Sequence, residues 1–130
     1  MLKILTLEDE LEINDFYQIL LKEFSYTVYS TSTYDEALEV AKRNHVDIAL
    51  VDHRLALSGS TKDGLETIEE LKKLQPHMKI IMVSANYPAG LEDSYKDHGI
   101  DMLVRKPFHI DEMLYNIKQL ARKESNKAAT

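Results

Sequence analysis

The chain has no cysteine, and this absence removes several kinds of chemistry at once. Disulfides, thiolate zinc sites, iron–sulfur clusters and cysteine nucleophiles all require the missing thiol. Redox chemistry through thiols is therefore excluded. A reducing compartment fits this composition, and we expect a cytoplasmic protein.

Long hydrophobic runs are also missing. The densest apolar run covers residues 80–83, which is the length of a strand and far short of a membrane span. The N-terminus lacks the basic start and the apolar stretch of a signal peptide. We therefore expect no contact with a membrane.

Positive charge is in deficit, because 16 Lys and Arg residues face 22 Asp and Glu residues and the formal net charge is −6. A chain of this charge should repel nucleic acid and anionic membranes. Direct DNA binding by this chain is therefore not expected. Its 44% hydrophobic and 29% charged residues instead indicate one soluble globular domain with a sizeable core.

Short β-type runs alternate with helical patterns, which is typical of a parallel sheet with crossover helices. The helical spacing is weakest at residues 87–98 and clearest in the last helix, from residue 110 onward. We predict five strand–helix pairs, with strands at residues 2–7, 26–30, 46–51, 79–83 and 102–104.

Two helices carry further local signals. Thr33 and Glu36 form a capping box, which predicts the start of the second helix. The chain after Arg122 is polar, so we expect a domain at residues 1–122 and a frayed polar tail or the start of a linker at residues 123–130.

The spacing of the first helix predicts five core-facing side chains: Ile13, Phe16, Tyr17, Leu20 and Phe24.

Charged and polar side chains stand where the predicted strands end. Glu8 and Asp9 follow strand 1, Asp52 follows strand 3, and Ser84 and Lys106 follow strands 4 and 5. Functional groups of an open parallel sheet gather at the carboxyl ends of its strands, so we expect these residues to meet at one edge. An all-oxygen carboxylate cluster suits Mg²⁺ better than zinc or copper. With a hydroxyl and a lysine beside it, the cluster predicts a phosphoryl site.

Four short motifs carry these residues, and each motif alone is a weak signal. In chain order they are Leu7-Glu8-Asp9-Glu10, Leu50-Val51-Asp52, Val83-Ser84-Ala85 and Lys106-Pro107-Phe108. Together, over residues 2–122, the ordered set resembles a response regulator receiver domain of bacterial two-component signalling. The resemblance implies a doubly wound, flavodoxin-like α/β fold, (βα)5, with five parallel strands and five helices. It also implies a cis peptide bond between Lys106 and Pro107.

The resemblance implies a role for each acidic position. Asp52 would take a phosphoryl group from a phosphohistidine on a sensor histidine kinase or a phosphotransfer protein. Asp9, Asp52 and the backbone carbonyl of Arg54 would bind Mg²⁺ directly. Glu8 would hold the water shell of the ion.

The remaining two positions would form the switch. Ser84 and Lys106 would bind phosphoryl oxygens and draw the loops after strands 4 and 5 inward. The surface of helix 4, strand 5 and helix 5 would then change, and a downstream effector protein or a fused output domain would read it. Such a domain is a self-phosphorylating phosphoacceptor that can lose its phosphoryl group slowly, not an enzyme with a separate substrate.

The sequence departs from the family pattern at three places. Glu8 stands where aspartate is commoner, which keeps the charge but lengthens the side chain. Gly64 comes 12 positions after Asp52, so the loop at residues 58–62 looks like an insertion. Leu103 stands where an aromatic residue often swings inward on activation, and the usual aromatic relay is therefore in doubt.

Other classes of protein fit less well. A phosphatase of the haloacid dehalogenase type needs D-x-D after its first strand, whereas residues 8–10 read Glu-Asp-Glu. A flavodoxin-type carrier would bind FMN at this loop, and the same acidic residues would repel the FMN phosphate. A P-loop nucleotidase is excluded because G-x-x-x-x-G-K-[ST] is absent. The alternative that remains is a pseudo-receiver, which has the same fold but acts as a phosphorylation-independent protein-interaction module.

Overall fold

Strands and helices alternate along the chain as the hydrophobic pattern predicts. The computed structural model describes residues 1–52, 64–85 and 90–129. Its strands are β1 (Lys3–Leu7), β2 (Thr27–Thr31), β3 (Ile48–Asp52), β4 (Lys79–Ser84) and β5 (Met102–Arg105). Its helices are α1 (Leu11–Glu23), α2 (Tyr34–Arg43), α3 (Gly64–Leu74), α4 (Leu91–Ser94) and α5 (Ile110–Ala129), with a 3₁₀ turn at Tyr95–His98.

The strands form one parallel sheet in the order β2-β1-β3-β4-β5. The strand β1 pairs with both β2 and β3, so the chain winds outward from the centre in two directions. This is the doubly wound, flavodoxin-like arrangement, and the predicted fold class is confirmed. The peptide bond between Lys106 and Pro107 is cis, as the resemblance implies.

Alternate side chains of the strands build a core on each face of the sheet. Leu5 and Val51 belong to the core under α2, α3 and α4. Ile4 and Leu50 belong to the core under α1 and α5. All of β3 is buried, as expected of a central strand that helices cover on both faces.

A side-chain cap fixes the start of α2. The Thr33 hydroxyl accepts a hydrogen bond of 3.1 Å from the backbone N–H of Glu36. This bond satisfies one of the amides that the first turn of a helix leaves without a partner. The predicted helix start is confirmed. In a capping box the glutamate side chain accepts from the N-cap backbone, whereas here the Glu36 carboxylate accepts a hydrogen bond from the Ser32 hydroxyl at 3.1 Å.

The buried face of α1 differs from the predicted one. Among the five expected core residues, Phe16 is 55% exposed and Phe24 is 42% exposed. Tyr17 is buried as predicted, whereas the other two buried residues of α1, Asn14 and Leu21, were not among the expected five. Asn14 was missed for a physical reason. A hydrophobic pattern counts asparagine as a polar, exposed residue, whereas an amide that is hydrogen-bonded can be buried.

The last two helices also differ in extent from the predicted ones. The helix expected at residues 87–98 is a short α4 followed by a 3₁₀ turn, and Gly99 ends the turn with a φ of 86°. In α5 the helical backbone continues beyond Arg122 to Ala129, where a frayed tail was expected. Lysine, glutamate and alanine at these positions are strong helix formers. Within the described ranges, no helix has the length and apolar character needed to cross a membrane.

Candidate functional site

Four of the predicted site residues lie at the carboxyl ends of neighbouring strands. Asp52 is the last residue of β3 and Ser84 is the last residue of β4. Glu8 comes directly after β1, and Lys106 comes directly after β5. Parallel pairing places these strand ends at the same edge of the sheet, so the expected gathering of the residues is confirmed.

The acidic side chains meet closely at this edge. Glu8, Asp9 and Asp52 each bring a carboxylate oxygen within 4.8 Å of the others. Glu8 and Asp52 are buried, with exposures of 2% and 3%, whereas Asp9 is exposed. The Lys106 ammonium lies 3.4 Å from Asp52 Oδ2 and 4.0 Å from Glu8 Oε2. Among the described residues, Lys106 therefore lies close to two of the three carboxylates, and the carboxylates outnumber the lysine.

Glu8 relieves part of this excess by keeping a proton. Burial raises the pKa of Glu8 to about 8, and a hydrogen bond with Asp52 and the charge of Asp52 act in the same direction. The charge of Lys106 lowers this pKa and only partly offsets the increase. A pKa raised in this way favours the protonated form of the Glu8 carboxyl near neutral pH.

The cluster fits a divalent cation. Glu8 Oε1 is buried and has no hydrogen-bond partner in the part of the chain that the structure describes. An unsatisfied buried oxygen is costly, and a bound cation would satisfy it. The carboxylate oxygens form a hard ligand set of the kind that Mg²⁺ prefers. Arg54, whose carbonyl was expected to complete the ligands, lies outside the described residues, as does the loop at residues 58–62.

A buried polar network lies directly behind Glu8, and sequence reasoning missed it. The Asn14 side-chain amide donates to the backbone carbonyls of Glu8, at 3.2 Å, and of Thr31, at 2.9 Å. Its oxygen accepts a hydrogen bond of 2.6 Å from the Thr6 hydroxyl. The sequence signal that could have shown this residue is a lone amide on the helical face that carries the buried apolar residues of α1.

The helix α1 also contributes an aromatic residue beside the site. The Tyr17 ring stacks on Phe108, with ring centroids 6.4 Å apart and planes 7° apart. Burial raises the pKa of the Tyr17 hydroxyl, and the nearby charges of Glu8 and Asp52 add to this effect. Tyr17 therefore lies within electrostatic reach of the acidic cluster.

An apolar groove, here called the α1 groove, continues from this aromatic pair across the surface. It has a volume of about 500 Å³, and Lys106 forms part of its wall. Phe16, which is 55% exposed, presents its ring there. The other residues that line the α1 groove are Ile13, Tyr17, Ala85, Pro107, Phe108 and Ile110.

A backbone hydrogen bond connects the loops after β4 and β5. The N–H of Lys106 donates to the carbonyl of Ser84 at 2.9 Å. The hydroxyl-bearing residue and the lysine are therefore joined through the main chain. Leu103, on β5, packs partly buried against the core under α2 and α3.

Comparison with known proteins agrees with this geometry. The cell cycle response regulator CtrA of Brucella abortus is 29% identical over 129 residues, which are 98% of this chain and 53% of CtrA. The chain thus spans about half the length of the curated relatives it matches.

Solved structures of similar fold include two with 26% identity. The response regulator receiver domain protein (CheY-like) from Methanospirillum hungatei has a TM-score of 0.88, with 98% of each chain covered. The response regulator TrrA from Thermotoga maritima, solved in complex with Mg²⁺-BeF, has a TM-score of 0.76, with 92% of this chain and 99% of TrrA covered.

The family model of the response regulator receiver domain matches residues 4–118. This range contains every strand of the sheet except the first residue of β1, together with all the predicted site residues. Because the match extends over most of its length, the chain belongs to the response regulator receiver domain family.

Proposed function

We propose that this domain is a phosphoacceptor that takes a phosphoryl group onto Asp52 from a histidine kinase or a phosphotransfer protein, in a Mg²⁺-dependent reaction. The observation that carries this proposal is the setting of the Asp52 carboxylate. It is buried at a strand end, within 4.8 Å of two other carboxylates and 3.4 Å from the Lys106 ammonium. A cation site, a nucleophile and a fixed positive charge thus coincide, as phosphoryl transfer requires.

The Asp52 carboxylate is the nucleophile in the proposed step. One of its oxygens forms a bond to the phosphorus of the donor phosphohistidine while the phosphorus–nitrogen bond breaks. The electron pair of that bond returns to the imidazole, and the product on Asp52 is an acyl phosphate. Bound Mg²⁺ supplies positive charge against the carboxylates and the phosphoryl oxygens. Asp9, Asp52 and the backbone carbonyl of Arg54 would hold the ion, and Glu8 would hold its water shell.

Ser84 and Lys106 bind the phosphoryl group once it is on Asp52. The lysine, which pairs with Asp52 before transfer, binds a phosphoryl oxygen afterwards, and the Ser84 hydroxyl donates to another. Because the backbone bond between these residues joins their loops, both loops respond together. The phosphorylated domain then presents a changed surface to an effector protein or an output domain.

The α1 groove is the surface that we assign to the donor protein. A donor must bring its imidazole to Asp52, so it contacts the residues that flank the site. The groove shares Lys106 with the site, and Phe16 offers an exposed apolar ring for contact. Exposed apolar surface of this kind is a feature of protein interaction sites.

The test is to incubate the protein with Mg²⁺ and acetyl phosphate and to measure its intact mass. We expect a gain of one phosphoryl group, and no gain when EDTA chelates the metal before the donor is added. Asp52→Asn should abolish the gain because it removes the nucleophilic charge at nearly constant size. Asp35→Asn, at an exposed position of α2, is the matched control and should label normally.

Two results would contradict the proposal. Full labelling of Asp52→Asn would mean that another residue is the acceptor. A wild-type protein that gains no mass, with this donor or with a phosphorylated histidine kinase, would favour the phosphorylation-independent interaction module.

A further inference from the structure

Asn14 is a buried polar residue that the proposed chemistry does not use. It is 6% exposed, and its side chain makes three hydrogen bonds, to the carbonyls of Glu8 and Thr31 and from the hydroxyl of Thr6. Both amide hydrogens and the amide oxygen are thereby engaged. The orientation of this amide is therefore fixed by its surroundings.

The hydrogen bonds of Asn14 hold the loop between β1 and α1 on both sides of Asp9. The side-chain amide donates to the carbonyl of Glu8 at 3.2 Å, and the backbone N–H donates to the carbonyl of Glu10 at 3.0 Å. The first of these bonds needs the Asn14 side chain, whereas the second is an ordinary main-chain bond of the first turn of α1. The Asn14 side chain therefore ties the backbone at Glu8, next to Asp9, to α1.

The surrounding network extends this support to the sheet. The Thr31 hydroxyl donates to the carbonyl of Thr6 at 2.7 Å, and the backbone N–H of Glu8 donates to the carbonyl of Thr31 at 3.1 Å. The ends of β1 and β2 are therefore cross-linked around the Asn14 amide. Without that amide, the carbonyl of Thr31 keeps the bond from the N–H of Glu8, whereas the carbonyl of Glu8 loses its bond from Asn14.

We propose that Asn14 is a positioning residue for the cation site, because it holds the carbonyl of Glu8 and thereby aims the Glu8 and Asp9 carboxylates at the ion. This inference rests on the proposed function, which places Mg²⁺ at these carboxylates. Groups that orient metal ligands typically change metal affinity by about 10- to 100-fold when they are removed. Loss of the Asn14 amide should therefore weaken Mg²⁺ binding and not only fold stability.

The experiment is a calorimetric Mg²⁺ titration of the whole chain, with the melting temperature of each variant measured in parallel. We expect Asn14→Leu to raise the dissociation constant for Mg²⁺ by roughly 10-fold or more. Thr6→Val removes only the hydroxyl that orients the amide, so it should shift the constant in the same direction by a smaller factor.

Gln75 offers a matched control at the opposite edge of the sheet. Its amide, like that of Asn14, makes three hydrogen bonds, here all with the backbone: to the carbonyls of Ala41 and Asn44 and from the N–H of Val46. Gln75→Met should lower the melting temperature but leave the dissociation constant for Mg²⁺ unchanged. A purely structural role of Asn14 would make both variants behave alike.

The outcomes separate the two proposals. If the wild type binds no Mg²⁺, the metal part of the proposed function fails, and the role of Asn14 fails with it. If the wild type binds Mg²⁺ and Asn14→Leu binds it equally well, only the role of Asn14 is overturned. If Asn14→Leu does not fold, Thr6→Val decides, and a dissociation constant equal to that of the wild type would overturn the inference.

Discussion

Glu8 shows how one residue can couple proton and metal binding. Its carboxyl is buried beside Asp52, where two negative charges repel each other in a poorly solvated place. Either a proton or a cation can relieve the repulsion. Burial beside Asp52 raises the pKa of Glu8 to about 8, which favours the proton. A cation bound at the proposed site would compete with this proton near neutral pH.

This shift predicts how the stability of the metal-free protein depends on pH. The pKa of Glu8 rises from 4.5 to about 8 on folding, so the folded chain retains a proton that the unfolded chain releases. The contribution of Glu8 to stability is complete below pH 4.5 and is lost as pH rises to about 8. Denaturant unfolding in EDTA should show this loss for the wild type.

Glu8→Gln is the comparison for this prediction, because it keeps the size and cannot titrate. Relative to this variant, the free energy of unfolding of the wild type should fall steadily between pH 4.5 and 8. The other titrating groups contribute to both curves and largely cancel in the difference. Parallel curves over this range would contradict the protonated state of Glu8.

At the scale of elements, the ends of β4 and β5 are joined to each other by hydrogen bonds. The two strands pair in register up to Ser84 and Arg105, and the next residue, Lys106, is bonded to the Ser84 carbonyl. Arg105 also forms a 2.7 Å ion pair with Glu92 of α4. A displacement of Ser84 can therefore reach β5 and α4 through bonded neighbours. Leu103 has no polar group with which to bind the phosphoryl group.

We predict that the hydroxyl of Ser84, and not Leu103, carries the response to a phosphoryl mimic. Beryllofluoride with Mg²⁺ should shift the NMR signals of Ser84, Ala85 and α4 in the wild type. Ser84→Ala should suppress the shifts because it removes an interaction that differs between the two states. Leu103→Ala should leave most of them intact. The opposite pattern, with the response lost only in Leu103→Ala, would contradict this switch.

The elements also show what the sequence can and cannot predict. Strand positions follow from apolar runs, and the site residues follow from their places directly after strands, so Asp52 and Lys106 were predicted together. The buried face of α1 was partly wrong because Asn14 is held by partners on β1 and β2, and such pairing leaves no trace in a local pattern. The burial of Glu8 and its proton also depend on neighbours that only the fold supplies.

At the scale of the whole molecule, function is concentrated at one edge of the sheet. The two cores support the strands from both faces, and the polar groups meet where the strands end. The α1 groove adds an apolar surface to the same edge, beside Lys106. The negative net charge is consistent with a domain that acts through protein contacts and a bound cation. The proposed function depends on Asp52 as the acceptor.

The most direct measurement is the position of the acyl phosphate after reaction with acetyl phosphate and Mg²⁺. Borohydride reduces an acyl phosphate to an alcohol, so a phosphorylated aspartate becomes homoserine, which mass spectrometry identifies in tryptic peptides. Asp52 lies in the peptide of residues 44–54, whereas Glu8 and Asp9 share the peptide of residues 4–22. We predict homoserine at position 52 and only when both donor and metal are present. Reduction within residues 4–22, or no reduction product at position 52, would contradict the account.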